Sequence, residues 1–178
     1  MLIQPIETQR LIIRQFELQD WEAVHSYTGN ATVMTYIEEG QMSETQTKQF
    51  VEKNSGDQAE AFPVLLKSQN QLIGHMIFHP WFGHLTYEIG WVLHPIYQGK
   101  GYATEAAKAL LLYGFENLHA HRIIATCQPE NPASYRVMEK IGMKREGHFR
   151  KGLYRGNHVW WDEYFYAVLA EEWILDKA

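Results

Sequence analysis

Cysteine is nearly absent from this chain: Cys127 is alone among 178 residues. An intrachain disulfide framework is thereby excluded, and a reducing compartment is expected. No apolar run reaches the length of a membrane span. The opening MLIQPIETQR has neither a basic start nor an apolar h-region, so no secretory signal is expected. Basic excess is missing as well. The formal net charge of -5 argues against the basic footprint of a nucleic-acid binder. It is compatible with a cationic acceptor drawn by the protein's field, although a modest negative charge also serves solubility alone. Internal repeats and low-complexity linkers do not occur. A cytoplasmic, soluble protein with no membrane and no nucleic-acid partner is the expectation.

Nine histidines raise the question of a metal. His75 and His79 share a strand face but lie two pleats apart, no cysteine joins them, and there is no H-E-x-x-H, so no metal site is expected. Cys127 reads as a small buried hydrophobe in a strand. Trp160 and Trp161 read as packing residues on opposite faces of the last strand.

What is present is an ordinary globular balance, 46% apolar and 21% charged residues, enough for one domain over residues 1–178 with a core of its own. Arg10 to Phe16 predicts a strand, and Leu18 to Tyr27 a helix begun near Asp20. Ser43 with Gln46 reads as a capping box opening a helix to about Lys53. Ala61 to Lys67 and Leu72 to His79 form a hairpin about Ser68–Gln71, and Leu85 to Leu93 the next strand. A helix to about Leu118 follows, then a strand over Arg122–Cys127. Asn131 or Ser134 opens a further helix that stops near Gly142. A last hairpin joins Lys144–Tyr154 to His158–Leu169. Meanders with one crossover predict an α+β (mixed α/β) domain. Its central sheet is mixed and mostly antiparallel, with helices on both faces.

The most informative stretch is Gln98-Gly99-Lys100-Gly101-Tyr102-Ala103, which carries a strand straight into the long helix. Unpaired backbone N–H groups at a helix N-terminus attract a pyrophosphate. The loop is not a Walker sequence, because Lys100 is followed by Gly101 and no glycine stands five residues before Gly99. Nor is it a dinucleotide fingerprint, since Gly99 and Gly101 are followed by Thr104 and no acidic residue ends a second strand. It fits Q-x-x-G-x-A through Gln98, Gly101 and Ala103.

That loop resembles the pyrophosphate loop of the GNAT superfamily of acyl-CoA-dependent N-acyltransferases. EIGWVLHPIYQGKGYATEA, QPENPASYRVMEKIGM and TQRLIIRQF are similar to the branch with the ribosomal-protein N-terminal acetyltransferases, the Rim type. The likeness runs from about Ile6 to about Leu169. It implies the GNAT fold, acetyl-CoA as co-substrate, and an amine acceptor. Under the resemblance, Gln98, Gly99, Lys100, Gly101, Tyr102 and Ala103 cradle the pyrophosphate. The pantetheine arm lies along Trp91, Val92 and Leu93, where a bulge opens the strand edge, and the N–H of Val92 or Leu93 polarises the thioester carbonyl. Asn131 bonds the arm, or only caps its helix. Lys100, Arg136 and Lys140 are candidates for the 3′-phosphate, although isolated surface cations are commonplace.

Two catalytic candidates follow. Glu88, a carboxylate on a central strand, is the candidate base, with a salt-bridged or rim position as the alternative. Many family members carry a tyrosine four residues after Ser134's position; here Met138 stands there. Ser134 is then the candidate donor to the departing sulfur, with helix capping as its alternative and Tyr135 as a displaced substitute. The acceptor is expected to be a protein N-terminal amine, with a polyamine, amino acid or aminoglycoside as the rival. A non-catalytic acyl-CoA-binding module and a nucleotide-binding regulator are further alternatives. Homodimers are frequent in this branch, and the resemblance leaves that state open here.

Overall fold

Eight strands and five helices occur among residues 4–175, the part of the chain described by the computed structural model. They fall into two units, one holding the chain to His79 with Gly90–Ala109, the other Pro80–Ile89 with the chain from Leu110. No described helix is long and apolar enough to cross a membrane.

In the first unit, β1 (Ile6–Glu7), β2 (Leu11–Ile13), β3 (Ala61–Leu66) and β4 (Gln71–Pro80) pair in chain order, all antiparallel. β4 is followed in the sheet by β5 (Thr86–Leu93), and the His94 N–H donates to the Ile73 carbonyl at 2.9 Å. A 3-10 turn at Leu18–Asp20 leads into α1 (Trp21–Thr28). α2 (Glu44–Lys53) begins where the capping box predicts: Ser43 accepts from the Gln46 N–H while the Gln46 side chain takes the Ser43 N–H. Apolar faces of α1 and α2 meet the strands in a core that includes Phe16, Val24, Tyr27, Val51, Leu65 and Val92. The Arg14 guanidinium grips buried Asp20 through two bonds of 2.7 and 2.9 Å, so that charge is paired.

One histidine sits inside this core. His75 Nδ1 lies 2.8 Å from the Tyr27 hydroxyl, among the rings of Phe16 and Phe50. Burial pulls the His75 pKa down to about 4 from its ordinary 6.5. Between those values the unfolded chain binds the extra proton and the folded chain does not. Stability is therefore complete above pH 6.5 and falls as the pH drops towards 4. Urea unfolding is expected to show about 2 kcal/mol less stability from this ring at pH 5 than at pH 7. The His75→Gln variant should lose that part of the slope. Equal slopes in both proteins would contradict a ring held neutral.

In the second unit, the opening residues of β5 pair in parallel with β6 (Arg122–Cys127), setting Thr86, Tyr87 and Glu88 opposite Arg122, Ile123 and Ile124. β6 then pairs antiparallel with β8 (Trp160–Leu169), and β8 with β7 (Lys144–Tyr154), so the order is β5-β6-β8-β7. The crossover between β5 and β6 is α3 (Tyr102–Glu116), whose residues through Ala109 belong to the first unit. α4 (Pro132–Lys140) ends with Gly142 at φ +86°, the left-handed stop its sequence predicts.

The sheet is mixed and mostly antiparallel, as expected. Two details differ from the sequence reading. The first strand is short, and β1 precedes it. α5 (Ala170–Leu175) follows β8 and had no sequence signal. Trp160, half exposed, packs beside Tyr154, and Arg155 lies over the Trp161 ring at 4.7 Å.

Candidate functional site

In the first unit, β5 ends in the buried pair Val92 and Leu93, with Trp91 partly buried before them. β4 passes very close here, because Gly74 has no side chain: a Cβ on Gly74 would lie 2.3 Å from the Val92 carbonyl oxygen and 2.9 Å from Leu93 Cα. A 3-10 turn, Pro95–Tyr97, follows and is pinned by the buried Tyr97, whose hydroxyl donates to Gln71 at 2.7 Å. The Gln98 side chain then reaches back, and its Nε2 donates to the Leu93 carbonyl at 2.9 Å. That bond ties the loop to the end of β5 and gives Gln98 a bracing role.

Gly99 (φ +73°) and Gly101 (φ +81°) both adopt the left-handed conformation, and α3 begins at the next residue, Tyr102. A Cβ at Gly99 would meet nothing within 4 Å. The backbone conformation, not crowding by the protein, therefore selects glycine there. Two left-handed glycines on either side of Lys100 stand at the positive end of a helix, a backbone setting that favours an anion. Gln98, Gly99, Lys100 and Gly101 are exposed; Tyr102 and Ala103 are half-buried. The loop therefore suits a diphosphate. Lys100 Nζ lies 5.5 Å from the Tyr97 ring centre.

Sequence reasoning missed what holds this loop. Arg10 donates from Nε to Glu105 Oε2 at 2.6 Å and from Nη1 to the Lys100 carbonyl at 3.1 Å. Thr8 Oγ1 and the Arg10 N–H donate to Glu105 Oε1 at 2.6 and 2.9 Å. Burial alone would raise the Glu105 pKa, but the bonds from Thr8 and Arg10 and the charge of Arg10 outweigh it and hold the carboxyl below its ordinary value. The signal was the polar TQR before the first apolar run and the acid three residues into the helix; nothing local links the two.

In the second unit, Glu88 is half-buried on β5, opposite Ile124. Asn131 caps α4: its Oδ1 accepts the Ser134 N–H at 3.2 Å, so the capping alternative is realised while its amide nitrogen is not used by the cap. Ser134 is half-buried, near the Cys127 thiol. Burial pushes that thiol up to about 12, so Cys127 is protonated at neutral pH and is no nucleophile. Tyr135 stands 6.0 Å from Tyr164, centre to centre. Arg136 and Lys140 are exposed.

Trp81 and Phe82 lead an aromatic cluster at the surface. Trp81 contacts Phe165, Phe165 contacts Phe149, and Phe82 is 87% exposed. His84 is exposed as well, whereas His94 packs against Tyr27 and Tyr97 in the first unit. Among the described residues, no group of three or more His, Cys, Asp or Glu could hold a metal ion.

The acetyltransferase (GNAT) domain family matches residues 10–144. An uncharacterized N-acetyltransferase of Bacillus subtilis, YnaD, is 60% identical over 168 residues, covering 94% of this chain and 98% of its own. The crystal structure of an acetyltransferase (GNAT family) from Bacillus anthracis superposes with a TM-score of 0.91 at 59% identity, covering 94% of this chain and 99% of that one. Spermidine N-acetyltransferase from Vibrio cholerae, solved in complex with CoA and spermine, gives a TM-score of 0.81 at 26% identity, covering 94% and 99%.

Proposed function

This chain belongs to the GNAT acetyltransferase family, whose members use acetyl-CoA, and on that premise we propose that it acetylates a protein N-terminal α-amine by direct attack within a ternary complex. The observation that carries this reading is the loop at Gly99 and Gly101, two left-handed glycines opening a helix. Gln98 to Ala103 would hold the diphosphate by backbone amides. The edge of β5 at Trp91–Leu93 would take the pantetheine arm, with Asn131 contributing its unused amide nitrogen.

The transfer forms one N–C bond and breaks one C–S bond. The Val92 or Leu93 N–H polarises the thioester carbonyl. Glu88 accepts the amine proton, directly or through water. Ser134 donates to the departing sulfur. A thiol pKa near 8.5 makes hydrogen bonding sufficient for much of that task. An α-amine, with a pKa near 8, is partly neutral at pH 7 and makes modest demands on a half-buried carboxylate.

A polyamine acceptor is the second reading, favoured by the Vibrio cholerae relative solved with spermine. A screen of peptides with free N-termini against polyamines, amino acids and aminoglycosides, read by free-thiol release, separates the two. The peptides should give the highest kcat/KM; a higher value for a polyamine would replace the first reading. Glu88→Gln should lower the rate roughly a hundredfold near pH 7. The deficit should shrink as the pH rises past the amine pKa, where no base is needed. A deficit equal at every pH would make Glu88 structural.

A further inference from the structure

We propose that Arg10 and Glu105 are positioning residues for the anion-binding loop, fixing the direction in which its amides point. This inference rests on the reading of Gln98–Ala103 as a diphosphate cradle.

In a trans peptide the C=O and the following N–H point in opposite directions, and there is no cis peptide bond among the described residues. Arg10 Nη1 holds the Lys100 carbonyl at 3.1 Å. The N–H of Gly101 is therefore turned away from Arg10. The Gly101 carbonyl accepts the Glu105 N–H at 3.0 Å, which turns the Tyr102 N–H outward in the same way. Two successive amides are thus oriented by partners of their own carbonyls. Glycine at 101 has no intrinsic preference that would keep them there, since it visits both hands of φ with similar ease.

Arg10 is itself held firmly. Its Nε bonds Glu105, its guanidinium lies 4.5 Å from the centre of the Tyr102 ring, and its backbone is engaged by Glu105 and by Lys67. Glu105 is gripped at both oxygens, by Thr8 and the Arg10 N–H at one and by Arg10 Nε at the other. The arrangement has a second consequence. A carboxylate in the first turn of α3 would oppose a bound diphosphate, and the Arg10 charge neutralises it. Lysine would substitute only in part: it presents one point charge where the guanidinium fork reaches Glu105 and the Lys100 carbonyl together.

The test uses the full chain with CoA as the calorimetric probe, and with acetyl-CoA plus the best amine of the screen for kinetics. Arg10→Ala should weaken CoA binding about tenfold or more, the worth of one charge-assisted bond. The KM for acetyl-CoA should rise in step. The kcat at saturating acetyl-CoA and the KM for the amine should stay within about twofold, because the fixed amides act in binding. Arg10→Lys should recover part of the affinity. Adding Glu105→Gln to Arg10→Ala should recover part as well, by removing the unneutralised charge. Thermal unfolding reports whether each variant is folded, and Arg10→Lys, the gentlest change, keeps the test open if Arg10→Ala is not. A folded variant of either kind with wild-type CoA affinity overturns the positioning role. So does a loss spread equally over kcat and both KM values, which is the mark of general damage. Failure of the wild-type protein itself to bind CoA would overturn the cradle reading and this inference with it, and is distinguishable because no variant is involved.

Discussion

Gly101→Glu is expected to abolish measurable CoA binding in a protein that still folds. Three effects act in the same direction. Residue 101 has φ +81°, where an L-residue other than glycine costs on the order of 1–2 kcal/mol. The new carboxylate would stand at the mouth of α3, the proposed diphosphate site, and would cancel the attraction of the helix end. The Cβ would also lie 3.5 Å from Arg10 Nη2, close enough for the new side chain to draw the guanidinium from the Lys100 carbonyl and Glu105. A combined cost of about 3 kcal/mol or more corresponds to at least a hundredfold loss of affinity. Calorimetry with CoA reads the affinity, and far-ultraviolet circular dichroism confirms folding. Gly101→Ala separates the contributions, since it keeps the strain and adds no charge; it should bind with intermediate affinity. Unchanged affinity in folded Gly101→Glu would refute the loop as the diphosphate site.

The largest loss of stability should come from a glycine with no backbone strain at all. Gly74→Val places a Cβ 2.3 Å from the Val92 carbonyl oxygen and 2.9 Å from Leu93 Cα. Both obstacles are main chain, so no side-chain rotation relieves them, and either β4 or the end of β5 must move. Overpacking of this severity costs about 3 kcal/mol or more. In a chain of this size the melting temperature should fall by about 10 °C or more, or the protein should fail to accumulate in soluble form. Gly56→Ala is the control, because a Cβ there meets nothing within 4 Å; its stability should stay within about 0.5 kcal/mol of wild type. Any folded Gly74→Val protein should also transfer acetyl groups poorly, since Val92 and Leu93 are the proposed carbonyl-polarising donors. A wild-type melting temperature would show that the two strands can separate at little cost, against the close approach seen here.

Features set by near neighbours in the chain were legible beforehand. The capping box at Ser43 and Gln46 needs only four consecutive residues, and α2 starts where they say. Gly142 ends α4 for the same local reason, and the β6 limits, Arg122 and Cys127, were read directly. The glycine spacing of the loop announced a backbone fit for an anion. It did not reveal that Gly99 needs its left-handed φ as much as Gly101 does. β1 escaped notice because two residues carry no periodicity, and Asn131 could be read as a cap but not weighed against a ligand role.

The amino-acid order by itself carried the family likeness, most of the elements and their succession, and the glycine-punctuated loop proposed to receive a diphosphate. Each of these depends on side chains a few positions apart, whose preferences act before any packing. Tertiary structure alone decided that Gly74 must lack a side chain, that His75 is buried against Tyr27, and that a guanidinium 90 positions before Lys100 holds its carbonyl. Those contacts join segments with no local energetic coupling, so only the folded chain brings them within reach of one another.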